Sequence, residues 1–178
     1  MAKLPRLMQA GLPQSIDPAH FADTGESISG DLSIKGMERI EELLSDKEAR
    51  VSFRLEFERD ARQRINIRGD FCSTLGMLCQ RCLQPVQVDV EHKIATVLIT
   101  DEAEAATLPK NREGFLLRGK RLALSALIEE ELLLALPLAP THESASCHFV
   151  ETDKAGHEND TQQPFRVLAD MKSKLAKD

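Results

Sequence analysis

The chain has no tryptophan and no tyrosine, and its aromatic rings are supplied by seven phenylalanines and five histidines. A surface so poor in flat side chains argues against aromatic sugar platforms and against the base-stacking sheet of RNA-recognition domains. Positive charge is also in deficit: 23 Lys and Arg stand against 29 Asp and Glu, a net charge of −6. That sign is wrong for coating nucleic acid by bulk attraction, so any contact with RNA must be local. Long apolar runs are missing as well. The first 25 residues are broken by Lys3, Pro5, Arg6, Pro13 and Asp17. Nothing in the sequence approaches the roughly 20 apolar residues that cross a bilayer. The cytosol is therefore the expected compartment, with no membrane partner. No Ser/His/Asp set, phosphate-cradling glycine loop or HExxH motif occurs, so no enzymatic activity and no small-molecule substrate are expected.

What is present describes an ordinary soluble chain. At 178 residues, 42% hydrophobic and 29% charged, it can bury one real core. Four cysteines stand at 72, 79, 82 and 147. In a reducing compartment one CxxC among four points to metal or redox chemistry more than to a disulfide framework.

Residues 1–27 read as an amino-terminal extension with one short helix, for which Asp17 offers a cap and Pro18 suits the first position. A single domain is expected over 28–149. It opens with a weak strand at 28–34 and a short amphipathic helix carrying Met37, Ile40, Leu43 and Leu44. Val51, Phe53, Leu55 and Phe57 then alternate with polar residues, as do Ile65, Ile67, Phe71 and Leu75, and residues 86–99 form a third long strand. An acidic helical turn at 101–106 and a helix from Leu124 to Leu136, stopped by Pro137, complete the domain. Residues 150–163 read as a polar linker, and 164–178 as a short terminal helix with a basic tail. The expected class is α+β: an antiparallel sheet, or a partly closed barrel, of long strands with a few short amphipathic helices.

The parity of the first two long strands constrains their hairpin. Apolar residues are odd-numbered on both, so an odd loop is needed, and residues 60–62 supply three. In that register Phe57 faces Ile65, Leu55 faces Ile67, Glu58 faces Arg64, and Arg54 faces Arg68. Like charges directly opposite are destabilising unless an acid or an external anion lies between them. Two guanidinium groups suit a phosphate. Arg54, Arg68, Arg62 and Arg81 thus form a candidate RNA-binding set; the alternative is a solvated face on which Glu56 and Asp70 serve as partners.

On the helix after Ala123, Leu124, Leu127, Ile128, Leu132 and Ala135 make one apolar stripe, and Glu131 falls inside it. A carboxylate there must pair, reach a rim or meet a partner. Arg118, Arg121 and Arg81 are the candidate partners.

Cys79 and Cys82, between two strands, have the form of a knuckle that holds half of a tetrahedral zinc site. His142 and Cys147, just past the helix and its prolines, can supply the other half. The competing readings are plain buried cysteines and a redox dithiol. The latter suits a helix amino terminus better than a strand-to-strand turn. Cys72 falls on the polar parity of its strand and reads as structural.

Three blocks together, CQRC at 79–82 followed by LQPV, EEELLLALPLAPTHESASC from Glu129 to Cys147, and PFRVLADMK from Pro164, resemble the YceD family of large ribosomal RNA subunit accumulation proteins. The resemblance spans roughly residues 28–172, and its middle block is the most specific. It implies a bacterial ribosome-biogenesis factor needed for synthesis, processing or stability of 23S rRNA, with ribosomal RNA or an early large-subunit particle as partner. It carries no catalytic residues onto this chain. Relatives richer in cysteine at the second ligand position favour a metal-knuckle origin. The alternative reading is a protein-interaction adaptor that acts on rRNA indirectly, through an rRNA-processing protein.

Overall fold

The structure, a computed structural model, describes residues 12–109, 112–143 and 147. The expected linker at 150–163 and terminal helix at 164–178 lie outside the described residues.

Asp17 caps α1 (Pro18–Thr24) by accepting from the backbone N–H groups of Ala19 and His20, with Pro18 in the first turn and Gly25 closing the helix at φ +67°. Before it, β1 (Ser15–Ile16) pairs antiparallel with β7 (Leu122–Ala123). Residues 12–27 therefore pack onto the domain. Phe21 packs against Phe57 with the ring centres 5.3 Å apart and the planes tilted by 52°, and Asp23 bonds Arg59 at 2.5 Å.

The main sheet has five strands in the order β2 (Ser27–Ser33), β3 (Arg50–Arg59), β4 (Ile65–Leu78), β5 (Pro85–Ile99), β6 (Glu113–Leu116). The first four form an antiparallel meander, as alternation of their apolar residues requires. β6 runs parallel to the end of β5, a pairing that four residues of sequence do not announce. The sheet is open, and no closed barrel forms among the described residues.

The inner face carries Val51, Phe53, Leu55, Phe57, Ile67, Phe71, Leu75, Val90, Ile94 and Leu98, all buried. Over it lies α4 (Leu124–Ala135), which buries Leu124, Leu127, Ile128 and Leu132 as its wheel predicts. α2 (Glu38–Glu41) is shorter than the amphipathic pattern but buries Met37, Ile40 and Leu44 around it. Its amino terminus lacks a cap of its own. Glu129 of α4 provides one, accepting from the N–H groups of Arg39 and Ile40 at 2.9 and 3.4 Å. α3 (Glu102–Ala105) follows β5 as an acidic turn capped by Asp101. Gly69 is required in β4, because a Cβ there would lie 2.0 Å from the carbonyl oxygen of Arg54.

The β3–β4 hairpin corrects the expected register. Phe57 faces Ile67, Glu56 faces Arg68, and Arg54 faces Asp70. The odd loop and the shared buried face hold, but the turn is centred one residue later. Asp60 explains the shift: its carboxylate accepts from the N–H groups of Arg62 and Arg64 and from the Arg64 guanidinium. Its carbonyl accepts from Gln63, which takes the left-handed conformation at φ +64°. An acid at the first position of a type I turn, closed by a left-handed residue, outcompetes the turn starting one residue earlier.

A candidate metal centre and the surfaces around it

β4 and β5 run on past the rest of the sheet and end in a tight reversal at residues 79–84. The N–H of Cys79 bonds the Gln84 carbonyl at 2.9 Å, and the N–H of Leu83 bonds the Cys79 carbonyl at 2.9 Å. Closing the chain so tightly drives Leu83 to φ +58°. A non-glycine residue there costs about 1–2 kcal/mol.

α4 ends at Ala135, two residues before Pro137, and the chain that follows is bonded to this reversal. The N–H of Gln80 donates to the Pro140 carbonyl at 2.8 Å, and the Arg81 guanidinium donates to the Cys147 carbonyl at 3.3 Å. These bonds bring together the four residues predicted as metal ligands. The ligand atoms of Cys79, Cys82, His142 and Cys147 all lie within 4.8 Å of one another. Cys79 Sγ stands 3.5 Å from Cys147 Sγ, and Cys82 Sγ stands 3.4 Å from His142 Nδ1. Zn–S bonds of about 2.3 Å and Zn–N bonds of about 2.0 Å in a tetrahedron separate ligands by roughly 3.5–3.8 Å, so the set fits zinc with little adjustment.

The surroundings suit a cation. His142 Nε2 lies 2.9 Å from the Pro85 carbonyl, which fixes that nitrogen as the protonated one and leaves the Nδ1 lone pair facing Cys82. Burial raises the pKa of Cys79. The backbone donors of Cys82, Arg81 and His142, with the Cys147 thiol, outweigh it and bring the value down to about 5. Burial and the neighbouring sulfurs of Cys79 and Cys82 push Cys147 up to about 11. The two thiols are thus pushed in opposite directions, Cys79 toward the thiolate and Cys147 away from it, and a dication held between the sulfurs would favour the thiolate at both. Cys72 is exposed on the outer sheet face, away from the cluster, and faces Glu91.

The predicted RNA-binding residues are not gathered in one place. Arg54 bonds Glu56 at 2.9 Å, and Arg68 bonds Glu58 at 3.0 Å, both at exposed positions. No arginine faces another there, so the expected like-charge pair does not form. On that outer face Arg50, Arg54, Arg68 and Lys93 are outnumbered by Asp31, Glu56, Glu58, Asp70, Asp89 and Glu91. Arg62 sits on the β3–β4 turn, at the opposite end of β4 from Arg81.

Glu131 is buried, as its place in the stripe foretold, but its partners are not arginines. It accepts a hydrogen bond from Thr96 Oγ1, and its second oxygen lies 3.3 Å from His92 Nε2. α4 lies across the inner face of the sheet, so this wheel position points at β5 and not at the loops carrying Arg118 and Arg121. Arg121 instead bonds Ser15.

Comparison with known proteins adds the kinship. A family model described as "Large ribosomal RNA subunit accumulation protein YceD" matches residues 67–172, more than half of the chain. The chain belongs to the YceD family. It is 26% identical over 178 residues to the Haemophilus influenzae protein named "Large ribosomal RNA subunit accumulation protein YceD", covering 94% of this chain and all of that one. No solved structure matches. The family match begins in β4 and takes in all four residues of the cluster. Among the described residues no helix is long and apolar enough to cross a membrane.

Proposed function

We propose that this YceD-family protein is a non-catalytic cytoplasmic factor needed for accumulation of 23S ribosomal RNA, acting on an early large-subunit particle, and that zinc in the knuckle organises its working end. The observation that carries the metal is the converging set Cys79, Cys82, His142 and Cys147, with the His142 tautomer turned to present Nδ1. Four protein ligands complete a tetrahedron and leave no open position, the pattern of structural rather than catalytic zinc. The rRNA role comes from the family's description and from its relative's name.

A second reading is direct RNA contact through Arg54, Arg62, Arg68 and Arg81. In its favour, Arg62 and Arg81 have no carboxylate partner among the described residues. Against it, Arg54 and Arg68 are already neutralised, and the outer face is net acidic. The acidity favours the alternative in which the protein reaches rRNA through another protein.

One experiment separates these readings. Cells lacking the native protein receive the wild type, Cys79→Ser/Cys147→Ser or Arg54→Gln/Arg68→Gln, and 23S rRNA is quantified beside the zinc content of the purified, tag-free chains. The expected result is about one zinc per wild-type chain, loss of zinc and of 23S rRNA in the cysteine double variant, and near-normal rRNA in the arginine one. Full complementation by the zinc-free double variant sinks the metal reading. Failure of the arginine variant, with salt-sensitive rRNA binding in the wild type, moves the weight to direct contact.

A further inference from the structure

Cys79 and Cys147 are 68 residues apart in the chain, yet their sulfurs stand 3.5 Å from each other and both residues are buried. A disulfide brings two sulfurs to about 2 Å, so the remaining gap is on the scale of a side-chain rotation. Cys82 is directed elsewhere, with its sulfur 3.4 Å from His142 Nδ1. Cys79 therefore has a close sulfur partner across the clasp as well as one in its own motif. Cys82 is only partly buried, which makes it the sulfur of the three that solvent reaches most easily.

The bonds that align this pair need no metal. The Gln80 N–H donates to the Pro140 carbonyl, the Arg81 guanidinium donates to the Cys147 carbonyl, and His142 Nε2 meets the Pro85 carbonyl. With the two segments held this way, each sulfur faces the next whether or not a cation lies between them. A thiol so placed meets its neighbour at an effective concentration that no external thiol matches.

We propose that the knuckle is an oxidation-sensitive clasp, in which a hydroperoxide joins Cys79 to Cys147 as a disulfide and releases the metal. This deepens the metal reading of the knuckle and rests on it for the release step; the sulfur pair stands on its own geometry. The Cys82 thiolate attacks the hydroperoxide and breaks its O–O bond, leaving a sulfenic acid while the alkoxide takes a proton and departs as alcohol. The Cys79 thiolate then displaces hydroxide, which leaves as water once protonated, and a Cys79–Cys82 bond forms. Cys147, beside Cys79, attacks the Cys79 sulfur and expels Cys82 as thiolate. In sum, two thiolates, two protons and one hydroperoxide become one disulfide, one alcohol and one water. Cys82 and His142 remain, too few ligands for a closed zinc site. The same loop stays closed throughout, by metal in one state and by a covalent bond in the other.

The test uses the full-length, tag-free chain carrying Cys72→Ser, so that thiol counts report the cluster alone. Hydrogen peroxide is added beside a zinc-sensitive dye. The expected result is a fall from three thiols to one, zinc appearing in step with it, and a peptide map that links Cys79 to Cys147. Dithiothreitol and added zinc should restore the starting state. The oxidised, metal-free chain should melt several degrees above the reduced chain stripped of metal, because its crosslink closes a long loop. Cys147→Ser should halt at the Cys79–Cys82 bond, and Cys82→Ser should slow oxidation about tenfold.

A final Cys79–Cys82 bond with Cys147 in place, sulfinic acids instead of a disulfide, or an oxidised chain that melts below the stripped one overturns the proposal. A chain that holds zinc and keeps all three thiols under peroxide defeats the clasp and leaves the metal reading standing. A chain that never holds zinc but still forms the Cys79–Cys147 bond defeats the metal reading and the release step, and leaves the sulfur switch.

Discussion

Glu131 is held from below by two side chains of one strand, Thr96 and His92, and from above by the apolar stripe of its own helix. A buried carboxylate with partners contributes modestly, but removing it strands the groups that faced it. Glu131→Ala should therefore cost about 1–3 kcal/mol of unfolding free energy. Glu130→Ala, at an exposed position on the next step of the helix, should stay within roughly 0.5 kcal/mol. Paired urea melts of the two variants check this, and equal, small effects in both would show that the Thr96 and His92 contacts carry no weight. Sequence alone could show that Glu131 was in the wrong place for an acid, because helical spacing fixes faces. It could not supply the partners: Thr96 and His92 lie 35 and 39 residues away on another element, and only the docking of α4 on the sheet brings them within reach. Glu129 was hidden for the same reason, since the helix terminus it caps belongs to α2.

At the scale of elements, what alternation could reveal was the parity of each strand, and parity survives a displaced turn. The pairing of individual residues did not survive it. Asp60 moved the hairpin by one position, and that exchanged an imagined Arg54–Arg68 contact for Arg54 opposite Asp70 and Arg68 opposite Glu56. Short elements such as β1, β6 and β7 were illegible because two to four residues carry no period. The turn chemistry makes its own prediction. Burial raises the pKa of Asp60, but the hydrogen bonds to the Arg64 side chain and to the N–H groups of Arg64 and Arg62 outweigh it, so the folded value lies below the ordinary 3.8. A lowered carboxylate pKa contributes stability that is fully present above 3.8 and is lost as pH falls through the folded value. Acid titration below pH 4 should thus loosen the β3–β4 hairpin in the wild type. Asp60→Asn should flatten that part of the stability–pH curve, and an unchanged acid slope in the variant would remove Asp60 from the account.

For the whole molecule, the CxxC and the block ending in Cys147 were both visible as motifs, while their meeting required the fold. Cys82 and His142 are 60 residues apart and are joined only because α4 packs on β5 and the segment after it is bonded to the β4–β5 tip. If zinc bridges them, its binding free energy becomes folding free energy, about 4 kcal/mol when free metal exceeds the dissociation constant a thousandfold. A strong chelator should then lower the calorimetric Tm by several degrees, and added zinc should restore it; a Tm indifferent to both means that the cluster stands without metal. Hydrogen exchange in the same samples should show the loss concentrated at residues 78–86, with the centre of β3 and β4 still protected.

The strand order carries one more consequence, and it concerns time. β2, β3, β4 and β5 are neighbours both along the chain and in the sheet, so each new pairing closes only a short loop. The clasp between the β4–β5 tip and the chain after α4 closes a loop of some 60 residues, whose entropic cost falls on a chain not yet ordered. Assembly should therefore run from the meander outward, with the cysteines and histidine meeting last. A nascent chain that has built its sheet but not yet laid α4 across it would present a half-set of thiols and nothing for them to hold.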